Sequence, residues 1–533
     1  MSRRYAGRAE RIVSVSNGPT SVAEEHTPLW RSDIAIVAVL ALSVAVYRLV
    51  MMSSAPGPPG SDGGNWLAFT RDLFGRSDKA AESMYFPGTL VVLKAFLLFL
   101  PELAALKLLA IVSSVALVVP FYFLARLACS RFTAAFLSLL FLMAGFLIEM
   151  MAWGGYPQLL GTLYLLAVFF FLDRWLLEGV RRDLLLAAVC TGLIFFTHHF
   201  TVLVLFASLA VYLPFIAFRE RHRLTLFLRR VVLWGLAAGG LSLWTLPWYL
   251  RYFSMLYGDG TLNATEGQVD GFSGVLSYVF SEAPLTWIAL ATIVPLLALV
   301  PVGGGKAARL RPFAAALVLG PCLVYALTEE ARSVQPMQAG ILLSLGIVTT
   351  VASSYISSLE VGPRPLFLAR ATQAMAAIAL LLILVPNSHS RFENALSRYG
   401  ALDAQAVQAL TWLRHSTEPG SLVLPGDRDN WVSYAWWVEG YGHRPAYAII
   451  DPRYLAFKEE QQQSAIAQRI VDESTPVEEV EQLLRESGIR YLFIYKPSGG
   501  VFQNLVDRIR VYLSFENEDF AILKIAEPTA SAQ

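Results

Sequence analysis

The sequence predicts a polytopic α-helical membrane protein that ends in a small extracytoplasmic α/β domain, and three observations carry this prediction. Several apolar runs reach the length of about 20 residues that crosses a bilayer. Only 16% of the 533 residues are charged, whereas roughly a quarter are charged in an ordinary soluble domain. From residue 391 onwards the chain becomes polar and acidic, with 14 Lys and Arg against 20 Asp and Glu. We therefore divide the chain into a cytoplasmic tail (1–33), a membrane domain (34–390) and the α/β domain (391–533).

About eleven apolar segments predict membrane spans. One further apolar segment, 86–100, is short and stops at Pro101. Fifteen helical residues cover about 22 Å, less than the roughly 30 Å of a bilayer core, so we expect a juxtamembrane or re-entrant helix there. The predicted spans are residues 34–52, 102–127, 132–150, 158–176, 184–197, 200–218, 231–250, 283–301, 313–327, 336–356 and 371–386.

Basic clusters orient the spans. Cytoplasmic loops carry an excess of Lys and Arg, and the first 33 residues are also rich in Arg. If all the clusters are cytoplasmic, the spans alternate without conflict. We therefore expect an integral protein of the cell membrane with its N-terminus inside and its α/β domain outside. The clusters are Arg126 and Arg131; Arg174, Arg181 and Arg182; Arg219, Arg221, Arg223, Arg229 and Arg230; Lys306, Arg309 and Arg311; and Arg364 and Arg370.

The α/β domain is predicted from its mixed patterning. Thr475 suits the N-cap of its last clear helix, Pro476 the first position and Gly488 the end. The three cysteines of the chain all precede the domain, so no disulfide holds it together. Helical patterning covers 401–415, 455–471 and 476–487, and strand-like runs occupy 421–424, 446–450, 490–495, 511–515 and 520–525.

Two carboxylates are the candidate catalytic residues. Asp62 lies in a Gly-rich loop (53–86) that this topology places outside, and Glu149 lies at the outer end of a later span. A carboxylate in such a place can accept the proton of an attacking hydroxyl group. Two simpler interpretations stay open. Asp62 could only cap a helix that begins at Asn65, and Glu149 could only reach towards interfacial water.

Other polar and aromatic residues lie near the same predicted face. Arg332 could bind phosphate through its forked donors or pair with the neighbouring Glu329 and Glu330. His198 and His199 occupy an outer turn, where they could donate to phosphate or simply mark a polar turn. The first loop also contains an apolar helix face, which predicts a helix in the membrane interface. That face is formed by Trp66, Phe69 and Leu73.

Together these features resemble the GT-C superfamily of polyprenyl-phosphate-dependent glycosyltransferases. This group includes protein O-mannosyltransferases, aminoarabinose transferases and oligosaccharyltransferase catalytic subunits. The matching features are an N-terminal span, an acid in the first outer loop (Asp62 in PPGSDGGNW), a Tyr-Phe-Pro-Gly helix start (Tyr85 to Gly88), a second acid before WGGYP (Glu149), an Arg ahead of a Pro-led span (Arg332, Pro336) and a closing α/β domain.

The resemblance implies that Asp62 is the catalytic base and Glu149 the second acid. It also implies that Arg332 contacts the donor phosphate, and from their place in the outer turn we expect His198 or His199 to assist. Substrate contacts are expected from Tyr85, Trp153, Tyr156 and Glu266. The expected partners are a polyprenyl-phosphate-linked sugar, a glycan, lipid or protein acceptor, and membrane lipids, with no nucleic acid.

The resemblance leaves the cofactor open. The family usually has a second acid near its first-loop Asp, whereas Gly63 follows Asp62 here, so a divalent metal is possible without being required. The Trp436-Trp437-Val-Glu-Gly stretch is similar to the Trp-Trp-Asp signature of oligosaccharyltransferases but lacks the Asp, and that activity is not assigned.

Two other functions stay open. A transporter or flippase of lipid-linked saccharide would need polar residues along the midplane of its spans, whereas the charges here lie near the span ends. A non-catalytic membrane sensor or scaffold would tolerate the replacement of Asp62 by Asn.

Overall fold

A computed structural model describes residues 29–58, 60, 62–73, 86–250, 306–328, 336–358, 375, 382, 385–397, 400–426, 434–447, 449, 458–498 and 500–526. The membrane part of these residues is built of helices joined by short turns. Its helices are α1 (Leu29–Met51), α2 (Asp62–Asp72), α3 (Pro87–Leu97), α4 (Glu102–Val115), α5 (Val118–Arg126), α6 (Arg131–Leu142), α7 (Gly145–Trp153), α8 (Tyr156–Glu178), α9 (Arg181–Thr197), α10 (His199–Arg219), α11 (Leu224–Ser242), α12 (Lys306–Thr328) and α13 (Met337–Ser358).

Seven helical segments in the described ranges are long and apolar enough to cross a membrane. Two of them are interrupted, because α4 continues into α5 and α6 continues into α7. The 11 residues of α3 are too few to cross, as predicted for this segment. The predicted span 283–301 and most of 371–386 lie outside the described residues.

Ion pairs hold one end of the bundle together. Asp33, near the start of α1, accepts hydrogen bonds from Tyr122 at 2.8 Å, Arg126 at 3.3 Å and Arg131 at 3.1 Å. The beginning of the first span and the turn between α5 and α6 therefore lie at the same end of the bundle. The predicted placement of the Arg-rich tail beside the first basic cluster stays a prediction, because residues 1–28 lie outside the described residues.

The C-terminal domain contains a four-stranded sheet with the order β1-β2-β4-β3. β1 runs parallel to β2, and β4 is antiparallel to both β2 and β3. The predicted strand 446–450 was wrong in its described part, where Ala446 forms only an isolated bridge with Val423. The elements are α14 (Ala404–Ser416), β1 (Leu422–Pro425), α15 (Tyr434–Gly440), α16 (Lys458–Val471), α17 (Val477–Ser487), β2 (Ile489–Tyr495), α18 (Gly500–Arg508), β3 (Val511–Glu516) and β4 (Phe520–Ile525).

Helix α17 corrects one predicted cap. Pro476 is extended, with φ −57° and ψ 145°, and it occupies the cap position without a side-chain hydrogen bond. The helix therefore begins one residue later than predicted, and Thr475 is not its N-cap. The predicted end is confirmed, because Gly488 has φ 72° and terminates the helix.

The two faces of the sheet belong to different hydrophobic cores. Leu492 and Leu523 point to a core shared with α16, α17 and α18. Phe493 and Ile522 point to the other face, where α14 and α15 continue the core of the membrane helices. The membrane part and this face of the C-terminal domain are thus packed as one continuous apolar interior.

Candidate functional site

Asp62 is held where the segment before α2 touches the turn after α7. Gly154 in that turn has a φ of +111°, and a Cβ placed on it would lie 2.5 Å from the Cβ of Asp62. The indole nitrogen of Trp66, one turn along α2, donates to the Gly154 carbonyl at 2.9 Å. Gly60 approaches the backbone of Trp153 so closely that a Cβ there would overlap it. The loop and the turn therefore meet backbone to backbone.

The position of Asp62 within α2 differs from the capping interpretation. The helix begins at Asp62 itself, so Asp62 does not cap a helix that starts at Asn65. The carboxylate lies in the first helical turn, where the partial positive charge of a helix N-terminus stabilises an anion. Its side chain is half-buried.

Glu149 lies on α7, the helix that ends at the same turn. It is half-buried and precedes Gly154 by five residues, about 7–8 Å along a helix axis. The contact between Asp62 and Gly154 means that the loop of Asp62 and the C-terminal end of α7 lie at one end of the bundle. The structure thus brings the elements that carry the two carboxylates together.

Tyr156 is the first residue of α8, directly after this turn. Its side chain is fully buried, and its hydroxyl has no hydrogen-bond partner among the described residues. Asp62 is close enough to interact electrostatically with the phenol. Buried hydroxyls normally have a partner, so this group is a hydrogen-bond donor that a substrate or a water could use. Trp153, on the other side of the turn, is half-buried.

The two histidines lie beside α8 and α3 and have different environments. His198 is buried and caps α10, because its Nδ1 accepts the backbone N–H of Thr201 at 3.3 Å. It packs beside Gly161 of α8, where a Cβ would lie 3.2 Å from its own Cβ. His199 is half-buried, and its ring lies 5.8 Å from that of Phe86 at the start of α3. Nδ1 of His198 is therefore occupied by the cap of α10.

Several predicted site residues cannot be compared with the structure. Arg332, its neighbours Glu329 and Glu330, Tyr85 and Glu266 lie outside the described residues.

Helix α15 of the C-terminal domain packs on α2, a contact that the sequence did not predict. A Cβ on Gly63 would lie 2.9 Å from the ring of Trp437, and one on Gly64 would lie 2.6 Å from the backbone nitrogen of Trp437. A Cβ on Gly440 would lie 2.7 Å from the carbonyl carbon of Gly64. Arg71 extends the contact by donating to the carbonyl of Glu439. Glycines on both helices therefore allow their backbones to touch.

This packing corrects the prediction that α2 lies in the membrane interface. Trp66 is 3% exposed and Phe69 is 8% exposed, so the apolar face is covered by protein. The apolar spacing was identified correctly, but spacing does not indicate what covers a face.

Arg391 lies near Glu149 and was not predicted as a site residue. A Cβ on Gly145, the first residue of α7, would lie 2.6 Å from the Nε of Arg391. Gly145 and Glu149 are four residues apart and share one face of α7. The guanidinium group of Arg391 therefore lies over the face that carries Glu149. Its position just after a predicted outer span end was the available signal.

Possible metal ligands do not converge in the described ranges. No group of three or more His, Cys, Asp and Glu side chains there could hold a metal ion. Asp62 and Glu149 alone do not make a ligand set, so no step below is assigned to a metal.

No protein-family model matches the chain, and no curated protein matches its sequence. Solved structures do match. ArnT from Cupriavidus metallidurans bound to undecaprenyl phosphate is similar over 95% of this chain and 100% of its own, with a TM-score of 0.57 and 16% identity. The archaeal oligosaccharyltransferase AglB from Archaeoglobus fulgidus, in complex with an inhibitory peptide and a dolichol-phosphate, is similar over 88% of this chain and 70% of its own, with a TM-score of 0.55 and 12% identity.

At these identities the likeness concerns the fold. Both proteins are GT-C glycosyltransferases, and the match extends over the membrane helices and the C-terminal domain. The described helices and the sheet that follows them agree with this architecture. The chain therefore has the GT-C membrane fold, as its resemblance to that superfamily predicted.

Proposed function

We propose that this protein is a membrane glycosyltransferase that moves a sugar from a polyprenyl-phosphate donor to an acceptor on the extracytoplasmic face. The observation that carries the proposal is the contact of Asp62 with Gly154, at the end of the helix that carries Glu149. The fold supports a lipid-linked donor, because its solved neighbours hold dolichol-phosphate and undecaprenyl phosphate.

In this reaction the acceptor hydroxyl oxygen attacks the anomeric carbon of the donor sugar. The bond between that carbon and the phosphate oxygen breaks, and its electron pair leaves with the lipid phosphate. Asp62 accepts the proton of the attacking hydroxyl. Its close contact with the backbone of Gly154 limits the movement of the base, which favours a productive geometry. Glu149 is the second acid of the site.

The leaving phosphate needs hydrogen-bond donors around it. Arg332 and His199 are the proposed contacts, together with the ring nitrogen of His198 that does not cap α10. The buried hydroxyl of Tyr156, at the turn that Asp62 contacts, is a further hydrogen-bond donor. Tyr85, Trp153 and Glu266 are proposed to contact the sugar or the acceptor.

The proposed orientation places the basic loops in the cytoplasm and Asp62, Glu149 and the α/β domain outside. The positive-inside rule supports it, as does the cluster around Asp33, which joins the start of α1 to the turn that carries Arg126 and Arg131. The acceptor is a glycan, a lipid or a protein that the outer domain can reach.

Replacement of Asp62 by Asn tests the proposal. Asn cannot accept the hydroxyl proton, so we expect a loss of transfer of at least 100-fold, within the range that general bases contribute. Mass spectrometry of polyprenyl-phosphate sugars and extracytoplasmic glycans should detect accumulation of the donor and loss of the product in cells that carry only Asp62→Asn.

The matched control is Asp507→Asn, the same change at an exposed carboxylate of the C-terminal domain whose partner is Gln503. It should leave the glycans unchanged. If Asp62→Asn cells retain normal products with a correctly folded protein, the proposed role of Asp62 is wrong. If deletion of the whole gene changes neither lipid-linked sugars nor glycans, the proposed function is wrong.

A further inference from the structure

A polar groove lies in the C-terminal domain and has no part in the chemistry proposed above. Its volume is about 580 Å³, and it is formed by the end of α17 and the adjoining ends of β2, β3 and β4. It lies at the Tyr491 end of β2. The opposite end of that strand, at Tyr495, packs on Tyr434 of α15, and α15 in turn packs on the helix of Asp62. The groove and the candidate active site are therefore at opposite ends of the sheet.

Three side chains form a row across the floor of the groove. Lys524 on β4 is directly opposite Tyr491 on β2 and Tyr512 on β3. Side chains of directly opposite residues share one face of a sheet and lie about 4.5–5.5 Å apart at Cβ. Tyr512 is 65% exposed and Lys524 is exposed. The row thus presents an accessible aromatic ring beside an ammonium group.

The groove has an excess of positive charge. Arg485, Arg490, Arg510 and Lys524 line it, against Glu418 and Glu481. Arg490 pairs with Glu418 at 2.7 Å, and Arg485 lies 3.8 Å from Glu481. In the described part of the chain, Arg510 and Lys524 have no carboxylate partner, and both are exposed.

We propose that this groove binds an acidic saccharide, a sugar chain that carries carboxylate groups. An exposed tyrosine offers a flat apolar ring with a hydroxyl at its edge, which complements a pyranose ring and its hydroxyls. Arginine and lysine bind carboxylates through charge-assisted hydrogen bonds. The choice of a saccharide over another anion rests on the proposed glycosyltransferase function, in which the groove would hold part of an acceptor chain.

Calorimetry with the full-length protein in phosphatidylcholine nanodiscs tests the site directly. The probe is trigalacturonate, and neutral maltotriose is the control ligand. We expect trigalacturonate to bind and maltotriose to bind at least tenfold more weakly, and we expect binding to weaken with salt because the contacts are exposed ion pairs. The double variant Arg510→Gln/Lys524→Gln should lose at least tenfold in affinity, whereas Lys496→Gln, which removes one positive charge at the other end of the sheet, should not.

Other variants separate a binding defect from misfolding. Tyr512→Leu, at a largely exposed position, should weaken binding and leave the thermal unfolding temperature unchanged. Asp62→Asn should bind trigalacturonate normally, so a failure of the transfer proposal is distinguishable from a failure of this one.

Three results would overturn the proposal. The first is the absence of trigalacturonate binding, or equal binding by the double variant and Lys496→Gln. The second is equally tight binding of inorganic phosphate, which would identify an anion site without preference for sugar. The third is loss of saccharide binding when phosphatidylglycerol is added to the nanodiscs, which would indicate that the groove faces anionic lipid.

Discussion

Two features of position 154, its backbone conformation and its close neighbours, both require glycine. Its φ of +111° lies in a region that L-residues with a side chain rarely adopt. A Cβ there would also lie 2.5 Å from Asp62 and 3.4 Å from the indole nitrogen of Trp66. The conformational freedom of glycine and its lack of a side chain are therefore both needed to keep the proposed base beside α7.

Replacement of Gly154 by Ala should destabilise the protein and reduce transfer. Backbone strain at positive φ costs roughly 1–2 kcal/mol, and an extra methyl in a packed site costs about 1–3 kcal/mol more. Thermal unfolding in detergent and the glycan assay measure the two effects. The control Gly420→Ala has φ +82° but meets no described atom within 4 Å, so it reports strain alone. Equal effects of the two substitutions would contradict a close contact with Asp62.

The sequence identified the residues around this turn only in part. Asp62, Glu149, Trp153 and Tyr156 could be found because polar and aromatic residues next to apolar spans are conspicuous. The capping role of His198 depends on the geometry of the turn between α9 and α10. Arg391 was missed because its position after a predicted span end does not indicate a contact with Gly145, which lies 246 positions earlier in the chain.

Helix α2 lies between the turn after α7 and helix α15. The Gly63-Gly64 pair allows α15 to approach, and Gly440 provides the matching space on the other helix. Close backbone approach of two helices requires small residues at the contact, since even a methyl group would overlap the partner. The position of Asp62 at the start of α2 therefore depends on a helix that belongs to the C-terminal domain.

Gly64→Ala should displace α2 from α15, because its new methyl would lie 2.6 Å from the backbone nitrogen of Trp437. We expect a lower unfolding temperature and a reduced turnover at saturating donor. Gly239→Ala is the control, since Gly239 in α11 has no described atom within 4 Å of its Cβ position. Because alanine in a helix interior is more stable than glycine by about 0.5–1 kcal/mol, this control should not lower the unfolding temperature. Unchanged turnover in Gly64→Ala would show that α15 does not position the base.

Helices and strands were more predictable than their packing. The bounds of β4 were predicted correctly, and the end of α17 followed from Gly488. The apolar face of α2 was also predicted, but we assigned it to the membrane interface when it is covered by protein. Periodicity defines a face, whereas the partner of that face depends on the tertiary arrangement.

The C-terminal domain is attached to the membrane helices by an ionic contact as well as by the shared core. Glu102, at the start of α4, accepts from Arg414 at 2.7 Å and meets Nε2 of His443 at 2.8 Å. These groups are partly exposed, with 21% of the Glu102 side chain and 32% of the Arg414 side chain accessible. Exposed ion pairs contribute about 0–1 kcal/mol, so the apolar contact dominates.

Glu102→Gln should therefore lower the unfolding temperature slightly at low salt, and the difference from the wild type should shrink as salt increases. The loss caused by Gly64→Ala should be independent of salt, because it arises from steric overlap. Calorimetric scans of both variants and the wild type at low and high NaCl measure these differences in unfolding temperature. A large, salt-independent effect of Glu102→Gln would contradict the minor role assigned to this ion pair.

The uninterrupted apolar interior between the bundle and the sheet has a consequence for protein engineering. A chimera that exchanges everything after residue 400 for the corresponding part of another protein with this fold would also lose Trp436, Trp437 and Gly440, which pack against Gly63 and Gly64 of this chain. Only a graft that transfers α2 together with the C-terminal domain keeps both sides of this contact. Such a graft would transfer the proposed catalytic base and the domain that packs on it from the same donor protein.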